Sequence, residues 1–370
     1  MGLLKNLFGT KEKEIKSYAD FWEWFNENQS TFHQVIRTKD ARAIEGKFFT
    51  RLAPKLNELK DGFFYLVGML DDSTVDLVFT ADGNSKNIVF VEELVETAPI
   101  IAGWQFTPLK QPMDIASFGL TMNGVAHDKD TLWFYATDHL DMPDLVDITI
   151  VHRDLDVSNE QSIKSGAYIF LDNYLGELSF LSGIDDLTFV GPSDAEKDLI
   201  PIDALENYLQ TREALFVEKY DGVRIFTDND KYSVMQAELE GGRMLVATVN
   251  TDLLEWDKKA SHPWMLVVKI GFDGGESNGL PDAATAEKLN EIEDAISRRL
   301  RDVDGYLNIG RQAANNERLI FYACVDFRQP SKVAYEAKRK YEGLLALDYE
   351  IYKDKYWRSV SHFSPKKDAV

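Results

Sequence analysis

The sequence predicts an α+β protein, and three observations carry that expectation. Apolar, β-branched runs of strand length alternate with segments whose apolar residues recur every three to four positions. Gly, Asn and Pro clusters punctuate the boundaries between them. Between Pro263 and Lys353 the elements fall in the order β-α-β-β-α-β, the ferredoxin-like split arrangement. Right-handed crossovers then place both helices on one face of a four-stranded antiparallel sheet. At 370 residues the chain exceeds one such sandwich, so two or three domains are expected.

In chain order, Met1–Lys16 reads as a flexible arm, too short in its apolar part for a secretory leader and without the Ser/Thr at position 6 that myristoylation wants. Ser17 or Asp20 starts a helix whose apolar side includes Phe21, Trp22, Trp24, Phe25 and Phe32, with a break expected near Asn28–Thr31. This aromatic run suits core packing better than a ligand lid. A further helix is expected over 41–60, then a hairpin of Phe63–Met69 and Thr74–Thr80, a helix ending before Pro99, and a strand at Trp104–Phe106. Ile115–Leu120 reads as one helical turn. Thr131–Ala136 and Val146–His152 read as strands, Asn159–Tyr174 as a helix and Leu187–Val190 as a strand. After a helical connector, Ala214–Phe226, Tyr232–Glu240 and Arg243–Asn250 read as strands, the last two joined at Gly241-Gly242.

The C-terminal elements are the most legible. Trp264–Phe272 is a strand, and Asp282 caps a helix carrying Leu289, Ile292, Ile296 and Leu300. Tyr306–Arg311 and Arg318–Phe327 pair across Asn315-Asn316; Ser331 opens a second helix with Ala334, Ala337, Tyr341 and Leu345 inward; Tyr349–Lys353 closes the order. The expected domains are an arm at 1–16, an acidic α+β domain at 17–192 with related architecture, a helical connector at 193–211, and a ferredoxin-like domain at 212–365 with extra N-terminal strands.

The formal net charge is −21. Residues 1–205 hold 34 Asp+Glu against 17 Lys+Arg, and residues 206–370 hold 28 against 24. Such a front half repels phosphate backbones, so a nucleic-acid partner is not expected. It suits a basic protein partner, or serves solubility alone. The one cysteine, Cys324, lies in an apolar strand pattern; it excludes a disulfide framework and reads as a buried thiol. No run approaches membrane-spanning length, and a cytoplasmic location is expected.

Candidate chemistry is sparse. The six histidines show no zinc-ligand spacing. His127 and His139 converge on paper with Asp128, Asp138 and Asp141 near an acidic turn, although chance placement explains them as well. Asp273–Asp282 is glycine-rich with Asp273, Glu276 and Asp282, but it lacks both a calcium-loop alternation and a Gly-Lys-Ser/Thr phosphate loop. It reads as a structural turn. Phe321, Tyr322 and Phe327 are the type of strand aromatics that stack bases when exposed. Arg298, Arg299, Arg301, Arg311 and Arg318 gather nearby and read as salt-bridge partners of the many acids. No serine elbow or dinucleotide fingerprint is present. No catalytic, cofactor-binding or metal residue is assigned, and no cofactor is expected.

The C-terminal half resembles the bacterial family of unknown function numbered 695. The marks are Trp264-Met-Leu-Val-Val-Lys, Asn278-Gly-Leu-Pro, Leu289, Glu291 and Glu293-Asp294, and the hairpin Ile309-Gly-Arg to Glu317-Arg-Leu-Ile-Phe-Tyr322. The closing Tyr352, Tyr356-Trp357 completes them. The late pattern is approximate here, as Asp354-Lys-Tyr-Trp357 and Phe363-Ser-Pro365. A more distant likeness is to the fold of the bacterial protein regulator of ribonuclease E, an acidic inhibitor that binds its nuclease. These resemblances imply fold and no catalytic residue. The leading expectation is a protein-interaction or regulatory protein with an acidic surface that suits a basic protein partner. The alternative is a metal-assisted hydrolase using clustered carboxylates. An exposed sheet edge leaves oligomeric state open.

Overall fold

The computed structural model describes residues 13–364. Residues 1–12 of the expected arm, and Pro365, lie outside the described residues. The chain divides into two compact units, 1–111 and 112–370, and both are α+β.

In the first unit, Ser17 caps helix α1 (Tyr18–Arg37), its Oγ accepting the Asp20 N–H at 3.2 Å. The helix does not break at Asn28–Thr31. Asn28 bonds back to the Trp24 carbonyl at 2.7 Å and accepts Arg51, so its side chain is satisfied without opening the helical ladder. The single helix expected over 41–60 is instead α2 (Ala41–Ile44), a π turn (Glu45–Phe49) and α3 (Thr50–Leu59). Pro54 lies in α3 and has no N–H to return to residue 50.

Strands β1 (Phe64–Met69) and β2 (Val75–Thr80) pair antiparallel; helix α4 (Ser85–Glu96) then carries the chain to β3 (Trp104–Pro108), parallel to β2. The α1 aromatics are core. Phe21, Phe25 and Phe32 are fully buried, with Phe25 edge-on to Trp104 at 4.9 Å and Phe32 to Phe48 at 5.0 Å.

The second unit opens with a single turn at 114–118, overlapping the 115–120 span expected to form one helical turn, where the N–H groups of Ser117 and Phe118 both return to the Asp114 carbonyl at 3.0 and 2.9 Å; a hairpin follows. Its strands are β4 (Leu120–Met122) and β5 (Val125–His127). Asn123 and Gly124 both have positive φ (51° and 83°), as an Asn-Gly hairpin turn requires. Next come β6 (Leu132–Thr137), β7 (Asp147–His152), α5 (Glu160–Leu175), α6 (Glu177–Gly183), β8 (Asp186–Val190) and β9 (Ile200–Pro201). The sheet order is β8-β7-β6-β9, with β7 and β8 parallel. An antiparallel pair followed by helix and parallel strand is the plan of the first unit repeated.

Helix α7 (Leu205–Tyr220) overrides the strand expected at 214–226. Leu205 and Leu209 bury its first turns, and the apolar Leu215 and Val217, which suggested a strand, are left more than half exposed. Beyond it lie β10 (Tyr232–Glu238), β11 (Met244–Asn250), α8 (Thr251–Glu255), β12 (Trp264–Gly271), α9 (Ala283–Ser297), β13 (Tyr306–Ala314), β14 (Glu317–Cys324), α10 (Arg328–Lys340) and β15 (Ala346–Lys353). Six strands form one sheet in the order β10-β11-β13-β14-β12-β15, with every neighbouring pair antiparallel. Asp282 caps α9 through the Thr285 N–H at 2.8 Å. Helix α10 begins three residues ahead of the expected Ser331, because Asp326 accepts the N–H groups of Arg328 and Gln329; Ser331 is buried inside it.

Both faces of the central strands are covered. Tyr322 points toward α9, its Oη 2.8 Å from Ser297 Oγ. Phe321 points the other way, 5.7 Å from Phe363 in the 3-10 turn Arg358–Phe363. Phe327 packs edge-on to Trp264 at 4.5 Å. All three aromatics are buried, so none offers a face for stacking bases.

Candidate functional site

The second unit holds a cleft of about 340 Å³ between the 143–146 loop, the end of α6, helix α7, the start of β12 and the end of β15. That volume is in the range that holds small molecules. Four cations line it: Arg212 and Lys219 from α7, Lys353 from the last residue of β15, and Lys355 just beyond. Strand alternation buries Leu347, Tyr349 and Ile351 of β15, and pairing with Trp264 fixes Lys353 at the strand's end.

Two carboxylates hold the cations. Asp185 is bracketed by lysines, with Lys353 Nζ 3.0 Å from Oδ1 and Lys355 Nζ 2.7 Å from Oδ2; it also accepts the Val146 N–H at 2.8 Å. Both ammoniums also donate to carbonyls, Lys353 to Ser182 at 2.5 Å and Lys355 to Asp144 at 2.6 Å, and Lys355 Nζ lies 5.0 Å from the centre of the Phe216 ring. The Asp144 carboxylate takes Lys219 at 2.8 Å and the hydroxyls of Tyr220 and Tyr356 at 2.8 and 2.7 Å. Arg212 donates to the carbonyls of Pro143 and Leu145.

Electrostatics follow from this geometry. Burial disfavours the ammonium of Lys353, and the Asp185 attraction only partly offsets it, so its pKa is pulled down to about 8. Burial works against an ionised Asp144, yet the hydrogen bonds from Lys219, Tyr356 and Tyr220 prevail and hold its carboxyl below the usual range. Burial and the bond to Asp144 push the Tyr356 hydroxyl well up.

The sequence-derived candidates do not converge here. His127 is fully buried, its ring 4.9 Å from that of His152, and neither ring nitrogen has a hydrogen-bond partner among the described residues. His139 instead contacts Asp147 at 2.6 Å. Among the described residues no group of His, Cys, Asp or Glu is arranged to hold a metal ion. Cys324 is buried in β14, and burial pushes its thiol well up. The Asp273–Asp282 loop packs on the β13–β14 turn, where Gly279 O accepts the Asn316 N–H at 3.0 Å. Arg299 pairs with Glu336, Arg301 with Asp304, Arg311 with Glu293, and Arg318 with Asn290 and Glu293.

The C-terminal motif residues lock this region. Asp354 accepts the N–H groups of Arg358 and Ser359, both at 2.8 Å. Trp357, with φ of 55°, donates from its indole to the His262 carbonyl at 3.0 Å. Residues 230–363 match the model of the family of unknown function DUF695. The C-terminal half therefore resembles DUF695, and the match takes in the whole six-stranded sheet with Lys353 and Lys355. Asp144, Asp185 and α7, which complete the cleft, lie outside it. Comparisons with curated proteins and with solved structures give no match. Among the described residues no helix is long and apolar enough to cross a membrane.

Proposed function

We propose that this is a cytoplasmic protein-interaction or regulatory protein whose acidic surface binds a basic protein partner. The observation that carries this reading is where the acid excess falls. Residues 1–111 hold 16 Asp+Glu against 13 Lys+Arg, whereas residues 112–205 hold 18 against 4. Within that segment Asp144 and Asp185 are engaged by the lysines of the cleft. Asp130, Asp138, Asp141, Asp154, Asp156, Asp186, Asp194, Glu196 and Asp198 are exposed. An acid excess of this size steers an oppositely charged partner and makes the encounter sensitive to salt. The partner class proposed is a nuclease or another basic protein, and it rests on this charge alone.

The test is affinity capture on the full chain at about 0.05 M and about 0.5 M salt. A stoichiometric basic protein held at low salt and released at high salt supports the proposal. A partner that is acidic or held equally at both salts contradicts it, as does retention of nothing.

A further inference from the structure

Four cations, Arg212, Lys219, Lys353 and Lys355, meet three carboxylates at the cleft, Asp144, Asp185 and Glu213. Lys353 and Lys355 share one buried carboxylate, Asp185, while the Asp144 carboxylate is taken up by Lys219, Tyr220 and Tyr356. Each of the two ammoniums has two hydrogen-bond partners among the described residues, one short of its three N–H groups, and Lys355 Nζ also lies 5.0 Å from the centre of the Phe216 ring. The side chains of Lys353 and Lys355 are 13% and 6% exposed, so water solvates this surplus positive charge poorly. A buried charge without a counterion is costly. Beside it the walls are apolar: Leu209, Phe216, Trp264 and Val325 within, and Leu215 and Val217 at the rim.

We propose that this cleft binds a small organic monocarboxylate, its carboxylate accepting from Lys353 and Lys355 and its apolar body lying between Phe216 and Trp264. One surplus positive charge selects a monoanion over a phosphate dianion, and the apolar walls select against acetate-sized ions. The site goes beyond the protein-binding reading, because it concerns an internal cleft of the second unit. It also carries a linkage. Lys353 faces Asp185 and Lys355, with Glu213 of α7 further out. A bound carboxylate favours its protonated form, so affinity falls as pH rises through about 8.

The experiment is calorimetric titration of the full chain with phenylacetate, hexanoate, neutral phenylacetamide and inorganic phosphate. Phenylacetate and hexanoate are expected to bind one per chain, with phenylacetamide and phosphate at least about tenfold weaker. Lys353→Met removes the charge but also strips a buried ion pair. Leu215→Trp, at a residue 58% exposed on the rim, blocks the cleft without touching the core. It should weaken phenylacetate at least about tenfold with an unchanged melting temperature. Absence of binding by both carboxylates at about 10 mM, equal binding of phenylacetamide, tighter binding of phosphate, or unchanged affinity in Leu215→Trp overturns the proposal.

Discussion

Lowering the pH from 7 to 5 should cost the second unit about 4 kcal/mol through two buried histidines. His127 and His262 are 0% exposed, and burial pulls the pKa of each from 6.5 to about 4. The neighbouring His152 pushes the same way on His127, as does Arg224 on His262. The unfolded chain then binds more protons than the folded one between pH 6.5 and pH 4. Stability from this source is complete above pH 6.5 and is lost as pH falls toward 4. At pH 5 the imbalance amounts to about 2 kcal/mol per histidine. His152 adds in the same direction, because its burial outweighs the pull of the Ala126 carbonyl that faces its Nε2.

Native-state hydrogen exchange of the β6–β7 amides, corrected for intrinsic rates, reads this stability at both pH values. Substituting His127→Leu removes one proton site along with two unsatisfied ring nitrogens. The variant should lose about 2 kcal/mol less than the wild type over the same pH step. It should not be less stable at pH 7, where burying an unpaired polar group already costs the wild type about 1–3 kcal/mol. An identical pH loss in wild type and variant would refute the reasoning.

Three further outcomes follow from the packing. Gly166→Ala raises intrinsic helix propensity by roughly 1 kcal/mol, yet it should destabilise the protein in urea titrations, because the new Cβ would lie 2.1 Å from His127 Nε2. A gain in stability would show that the His127 ring can yield. Asp185→Ala leaves two buried ammoniums without their shared carboxylate and should cost about 3–5 kcal/mol; a change under about 1 kcal/mol would mean the bracket contributes little. Cys324 should resist an aromatic disulfide reagent in the native protein and react fully once urea unfolds it, since its thiol is buried and held protonated. Rapid labelling of the native chain would contradict that placement.

Much of the fold was legible because its signals are local. Gly241-Gly242 and Asn315-Asn316 mark real turns, and Asp282 caps its helix as its place before the apolar periodicity implies. The hairpin at Asn123-Gly124 carries an equal turn signal, but its strands are only three residues each and give no apolar alternation to read. Helix α7 is hidden in the sequence because Leu215, Val217 and Phe226 resemble a strand; tertiary placement leaves these residues exposed instead of pairing them. The charge split was visible at half-chain resolution, but its confinement to residues 112–205 emerges only once the first unit is seen to end at residue 111. The cleft was not legible at all. Lys355 meets Asp185 across 170 positions and the Asp144 carbonyl across 211, and no local pattern announces a pairing made by docking one sheet's loops against another's last strand.

The central claim is that charge on the acidic segment holds a protein partner. Its most direct test compares the full chain with the variant Asp194→Asn, Glu196→Gln, Asp198→Asn, whose three positions are exposed and within that segment. Each immobilised protein is used to capture partners, and retention is measured across a salt series. The variant should retain less of the same basic protein at low salt and show a shallower loss as salt rises. Equal retention with an unchanged salt dependence would contradict it.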